Sequence, residues 1–115
     1  MRLPEVLETT YPAADRAVLS LHVSSGLRYF PGHFPGFALL PGFIQIDWAI
    51  HYGNALLSMP GQFAGMENIK FQAIVQPGDY LRLELTRSGD RLEFAYSGND
   101  GQRHSGGRIV FRERG

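Results

Sequence analysis

The segment from Pro41 to Ser58, PGFIQIDWAIHYGNALLS, constrains this chain more than any other. Pro41 suits the first turn of a helix, where a missing N–H is harmless, and Pro60-Gly61 would stop one, so the segment reads as the single long helix. Apolar side chains occupy nearly all of its circumference. Only Asp47, His51, Asn54 and Ser58, at steps of four, three and four residues, align as a polar stripe. A helix that is apolar on so many sides must be covered on most of them, and the rest of the chain has to supply the cover.

Strand patterns are available to do so. From Arg16 to Val23, Ala17, Leu19 and Leu21 alternate with Val18, Ser20 and His22, which predicts a strand. After the helix, NIKFQAIV, YLRLELTR, RLEFAYS and GRIVFRE read as strands, separated by turns at Gln76-Pro77-Gly78-Asp79, at Ser88-Gly89-Asp90 and from Gly98 to Gln102. The expectation is an α+β fold in which an antiparallel meander of four strands, with the earlier strand, curls around the central helix. At 115 residues the chain suits a single domain over residues 1–115, and it contains no repeat, low-complexity stretch or linker. Between Gly26 and Gly42, three prolines and four glycines interleave with Phe30, His33, Phe34 and Phe37; this is a structured loop that no regular helix could absorb.

Composition excludes several functions. The formal net charge is zero, so no bulk field draws the chain to nucleic acid or to an anionic membrane. Its longest apolar region, Phe43 to Leu57, is broken by Gln45, Asp47, His51 and Asn54, and no membrane span is expected. The absence of cysteine removes thiolate chemistry and suits a reducing cytoplasm, while MRLPEVLETTYP lacks the apolar core of a secretory signal. A cytoplasmic protein is therefore expected.

Two residues stand out chemically. Asp47 is a carboxylate halfway along an apolar helix, where lost hydration favours the protonated form that a general acid needs. Its bland role is to pair with His51 one turn later. His33 has the near-neutral chemistry of a general base and sits in a rigid apolar setting, Gly32-His33-Phe34-Pro35-Gly36; many loop histidines are merely solvated. That loop leads into the helix, whose first amides are free donors, and Gly42 has no side chain to keep a substrate carbonyl from its N–H. A base, an acid and a carbonyl polariser together fit removal of a proton beside a thioester carbonyl with loss of a group from the next carbon.

These residues resemble a known family. Gly32-His33-Phe34-Pro35, Leu40-Pro41-Gly42 and Asp47 look like the GHFP…PG…(E/D) signature of bacterial 3-hydroxyacyl-ACP dehydratases of the FabZ and FabA type. Ile69-Lys70-Phe71 and Val75-Gln76-Pro77-Gly78-Asp79 resemble the family's KF…V.PGD segment. The run from Pro41 to Ala49 is most similar to the ApeI-like subgroup, which is associated with aryl polyene and related polyene pathways. The resemblance implies a hotdog fold, a homodimer or higher assembly, and no cofactor. It also implies dehydration to a trans-2-enoyl thioester in polyene or fatty acid biosynthesis, with His33 as base, Asp47 as acid from the opposite subunit and Gly42 as the polarising amide. Three positions depart from the pattern: Asp47 replaces the FabZ glutamate, Ala38 stands where many relatives have proline, and His51 stands where glutamine is frequent. The helix around Trp48-Ala49 is unlike the FabA type, so isomerisation to a cis-3-enoyl product is not expected.

Substrate contacts follow as expectations. Phe34, Phe37, Phe43 and Trp48 are acyl-tunnel candidates, each with core packing as its bland role. His51 and Leu39 could support the catalytic pair from behind. An acidic acyl carrier protein needs a basic patch, for which Arg28, Lys70, Arg108 and Arg112 are available, the last two on one face of the final strand with Arg114; solubility is the bland alternative. A hotdog thioesterase and a non-catalytic acyl-binding subunit are rival readings. A metal site of His33, Asp47 and His51 is a further one, although nothing in the sequence requires His33 to converge on the other two.

Overall fold

The computed structural model describes residues 3–24 and 39–113. Within them lie strands β1 (Glu5–Ala13) and β2 (Arg16–His22), helix α1 (Gly42–Leu57), and strands β3 (Gln62–Phe71), β4 (Tyr80–Ser88), β5 (Arg91–Gly98) and β6 (Arg103–Arg112). The six strands form one antiparallel sheet in the order β1-β2-β4-β5-β6-β3. Helix and sheet share one hydrophobic core, the α+β arrangement of the hotdog fold.

Alternation explains the central strands. Ala17, Leu19 and Leu21 of β2, Leu81, Leu83 and Leu85 of β4, Leu92, Phe94 and Tyr96 of β5, and Ile109 and Phe111 of β6 are buried against the helix, which contributes Ile44, Ile46, Trp48, Ala49, Tyr52 and Leu57. Gly53 brings α1 close to the sheet, since a Cβ there would collide with the Leu92 side chain. The helix runs as its sequence predicts, with Pro41 at the N-cap and Ser58 in the left-handed conformation at the C-cap. His51, Asn54 and Ser58 of its polar stripe are exposed, and Asp47 is half-buried.

Four features of the sheet differ from expectation. β1 was not anticipated: every one of its residues is exposed, so burial imposes no alternation on its sequence. The four-strand meander is also wrong, because only β4, β5 and β6 follow one another in the sheet, while β2 pairs with β4 and β3 crosses to pair with β6. The first of the expected strands, NIKFQAIV, begins earlier and ends earlier than its composition indicates. β3 starts at Gln62 and stops at Phe71, where the amides of Gln72 and Ala73 both turn to His104 O. Asn68, at φ 54°, sits in the irregularity between Glu67 and Lys70 that obscures the strand's period. β6 likewise starts at Arg103 rather than Gly107.

No helix among the described residues is long and apolar enough to cross a membrane. The C-terminal end of α1 is closed by Arg87, whose guanidinium donates to Leu57 O at 3.0 Å and to Ser58 O at 2.8 Å. Charged donors on otherwise orphaned helix carbonyls are stabilising. Arg87→Ala is expected to lower the unfolding free energy by about 1–3 kcal/mol, read from urea denaturation at neutral pH, with Arg82→Ala on the exposed surface as the control that changes little.

Candidate active site at the start of the helix

The N-terminal end of α1 is built differently from its C-terminal end. Among the described residues no side chain caps it, and Pro41 O accepts the amides of Ile44 at 3.1 Å and Gln45 at 3.3 Å, so the helical ladder engages neither the Gly42 nor the Phe43 N–H. Beside these amides opens a mainly apolar cavity of about 480 Å³, lined among others by Leu39, Leu40, Gly42, Phe43, Phe71 and Ile74. Free amides at the positive end of a helix next to apolar walls can hold a carbonyl oxygen that gains negative charge.

The chain enters this end under tight control. Leu40 N–H donates to Val75 O at 2.8 Å, while Gly78 N–H donates to Val23 O at 2.7 Å and Val23 N–H to Asp79 O at 2.9 Å. One turn therefore fixes the backbone at both Val23 and Leu40. The turn is rigid in its own right: Gly78 has φ 88°, Asp79 N–H meets Gln76 O at 3.1 Å, and the Asp79 carboxylate accepts Gln76 N–H at 2.8 Å.

Of the residues singled out from the sequence, Gly42, Phe43 and Leu39 line the cavity. Asp47 is half-buried on the same helix. His51 is exposed and meets Tyr52 edge-on at 4.9 Å between ring centres; among the described residues, no hydrogen bond or ion pair joins it to Asp47. Trp48 is fully buried in the core. His33, Phe34, Phe37, Arg28 and Arg114 lie outside the described residues.

Of the basic residues, Lys70 and Arg112 are exposed, and Arg108 faces outward opposite buried Ile109 and Phe111 as the alternation predicts. Arg108 is not a free cation, since it donates to Glu93 at 3.0 Å and lies 3.6 Å from Glu67, and the Glu93 hydrogen bond and charge raise its guanidinium above its ordinary range.

A buried polar cluster was missed. Gln45 lies inside the core with Oε1 accepting Ser105 Oγ–H at 2.7 Å and Nε2 donating to Leu40 O at 3.3 Å, and its main-chain carbonyl accepts the Tyr96 hydroxyl at 2.7 Å. Burial, reinforced by Tyr52, pushes the Tyr96 phenol well above its ordinary value of 10.0, so it stays a donor. Read from sequence, Gln45 was one more interruption of an apolar run. Its pairing with Ser105 spans 60 residues, which local pattern cannot report.

Two outcomes follow. A Cβ built on Gly42 would lie 2.5 Å from Phe71 Cζ, the far end of a half-exposed side chain that can swing aside, so Gly42→Ala is expected to change the unfolding free energy by less than about 1 kcal/mol, read from denaturant titrations. Tyr96 supplies a pH dependence: its folded-state value lies above its unfolded one, so the contribution is complete below about 10 and is lost as pH rises further. The fall of melting temperature with alkaline pH should be shallower in Tyr96→Phe than in the parent protein.

Known proteins share this architecture. The family described as ApeI-like, ApeI dehydratase, matches residues 9–108. A 3-hydroxyacyl-[acyl-carrier-protein] dehydratase FabZ of Ligilactobacillus salivarius (strain UCC118) is 37% identical over 93 residues, covering 75% of this chain and 66% of its own length. Across the curated relatives, this chain spans between about half and two thirds of their length. The structure of the dehydratase heterocomplex ApeI:P from Xenorhabdus doucetiae superposes with a TM-score of 0.89 at 36% identity, covering 95% of this chain and 97% of that one. An uncharacterized protein of Erwinia carotovora subsp. atroseptica gives a TM-score of 0.84, also at 36% identity, with 95% of each chain covered. With the profile match extending over most of its length, this chain belongs to the ApeI-like dehydratase family.

Proposed function

We propose that this chain removes water from 3-hydroxyacyl thioesters borne by an acyl carrier protein, forming trans-2-enoyl thioesters. The observation that carries the reading is the uncapped start of α1, where the Gly42 and Phe43 amides border an apolar cavity and Asp47 follows on the same helix. In the proposed reaction the thioester carbonyl accepts the Gly42 N–H, which stabilises negative charge on its oxygen as the proton leaves C2. The neutral imidazole of His33 takes that proton. Asp47, as the carboxylic acid, gives its proton to the C3 hydroxyl, which departs as water, and the C2–H electron pair becomes the new double bond. The products are one enoyl thioester and one water, with no other reactant.

The same reading extends to assembly. β3 is an edge of the sheet and exposes Phe63, Met66 and Phe71, each about half accessible, and Phe43 beside it is 64% exposed. A second copy of the chain pairing along this edge would cover those side chains and bring His33 of one protomer toward Asp47 of the other. The Xenorhabdus heterocomplex makes a different chain the competing occupant.

Purified protein incubated with short, long and polyene-bearing 3-hydroxyacyl carriers is expected to yield the trans-2-enoyl product, detected as water loss by mass spectrometry, with no cis-3-enoyl isomer. Release of free carrier thiol instead would identify a thioesterase and refute the proposal. His33→Ala and Asp47→Asn should each lower turnover by at least about a hundredfold. Mixing the two inactive variants under conditions that exchange subunits should restore roughly a quarter of the activity, because half of the dimers then hold one intact site. Absence of any recovery, with exchange verified, would show that the pair does not meet across subunits.

A further inference from the structure

Gln45 is chemically out of place. It lies in the first turn of α1, 3% exposed, between Ile44 and Ile46. An amide in such a position costs stability unless its lost water hydrogen bonds are replaced, and an apolar residue of similar volume would fill the space without that cost. Packing alone therefore does not account for glutamine here.

Its bonds tie the segment that borders the cavity to the sheet. Nε2 reaches back to Leu40 O, the residue whose own N–H is held by Val75 O. Oε1 is anchored by Ser105 on β6, and the main-chain carbonyl is anchored by Tyr96 on β5; these two fully buried residues are cross-strand partners. The sheet thus grips the chain immediately before Pro41 and again at position 45. Between those grips lie the Gly42 and Phe43 amides that the helical ladder leaves unused.

Among the described residues no side chain caps this stretch, and Gly42 lacks the Cβ that narrows backbone freedom, so the grips on either side of it bear on how its amides point. An amide that wanders loses the preorganisation that makes a carbonyl-binding donor effective. We infer that Gln45 is a positioning residue, which through Leu40, Ser105 and Tyr96 fixes the helix-start amides in the orientation that polarises a thioester carbonyl. The inference rests on the dehydratase reading above, and it assigns Gln45 no contact with the reacting atoms.

Two substitutions test it. Gln45→Met keeps the length and removes both side-chain bonds, whereas Ser105→Ala removes only the anchor on Oε1. With a 3-hydroxyacyl pantetheine thioester, Gln45→Met is expected to lower kcat between about tenfold and a hundredfold and Ser105→Ala less, with KM changing by less than about threefold in either. The decisive readout is isotope-edited infrared spectroscopy of a carbonyl-labelled trans-2-enoyl pantetheine thioester bound to each protein. Its C=O stretch should be lowered on the parent enzyme and should return part of the way to the free value in Gln45→Met. A stretch that stays put while the melting temperature falls assigns Gln45 a structural role alone and overturns the inference. Should Gln45→Met fail to fold, Ser105→Ala carries the same comparison. The two failures are separable: a parent protein that neither dehydrates the hydroxy thioester nor shifts the enoyl stretch removes the dehydratase reading. A parent protein that does both, with variants that match it, removes only the role of Gln45.

Discussion

A helix apolar around most of its circumference has to be enclosed, and the enclosure is uneven at its two ends. Along its length, α1 buries Ile44, Ile46, Trp48, Ala49, Tyr52 and Leu57 against the inward faces of β2, β4, β5 and β6. Each large side chain so covered contributes about 1.5–3 kcal/mol, which fixes the helix on the sheet more firmly than its own propensity could. At the C-terminal end the exposed carbonyls are met by Arg87. At the N-terminal end no side chain performs the matching task, and an apolar cavity opens there instead. Donors that the helical ladder leaves unused, beside apolar walls, are what a carbonyl-binding site requires, and the proposed chemistry rests on that asymmetry of the ends.

The turn at Gln76-Pro77-Gly78-Asp79 gains meaning from the same geometry. Taken alone it is a tight connection into β4, with glycine at the one position whose φ demands it. Its neighbours make it a clamp, since Val23 is bonded to Gly78 and Asp79 while Leu40 is bonded to Val75. The start of the helix and the distant VQPGD segment are therefore mechanically joined. Their joint presence in the sequence has a physical reason, because the second holds the backbone at Leu40, two residues before the helix begins.

How much of this could be read from sequence depended on whether an element has one wet face and one dry face. YLRLELTR and RLEFAYS do, and residues 16–23 come close, with Val18 buried on the otherwise half-covered outer face; their alternation identified β2, β4 and β5. The helix was legible from its caps and its apolar run. β1 and β3 were illegible or misplaced because both faces of each are largely exposed, and no pattern within a strand names its partner. The start of β6 was hidden by Ser105, Gly106 and Gly107; at the last of these a Cβ would strike Ile69, so glycine there reflects close approach of β3. In the candidate site, the helix that carries Gly42 and Asp47 was legible. Gln45 was not, since only its partners on β5 and β6 distinguish a buried amide from a surface one.

Phe71 ties the proposed assembly to the proposed site. It belongs to β3, an edge strand of the described sheet that exposes Phe63 and Met66. Of the charges on that strand, Glu67 faces Arg91 and Arg108, each at 3.6 Å, while Lys70 is exposed. Yet the same Phe71 ring lies over Gly42 and forms a wall of the cavity beside the helix amides. Covering the edge would therefore also shield the cavity from water, strengthening every hydrogen bond and charge interaction within it. An open edge and an open cavity that share a side chain are most simply two aspects of one unfinished surface, which a neighbouring protomer would close in a single step.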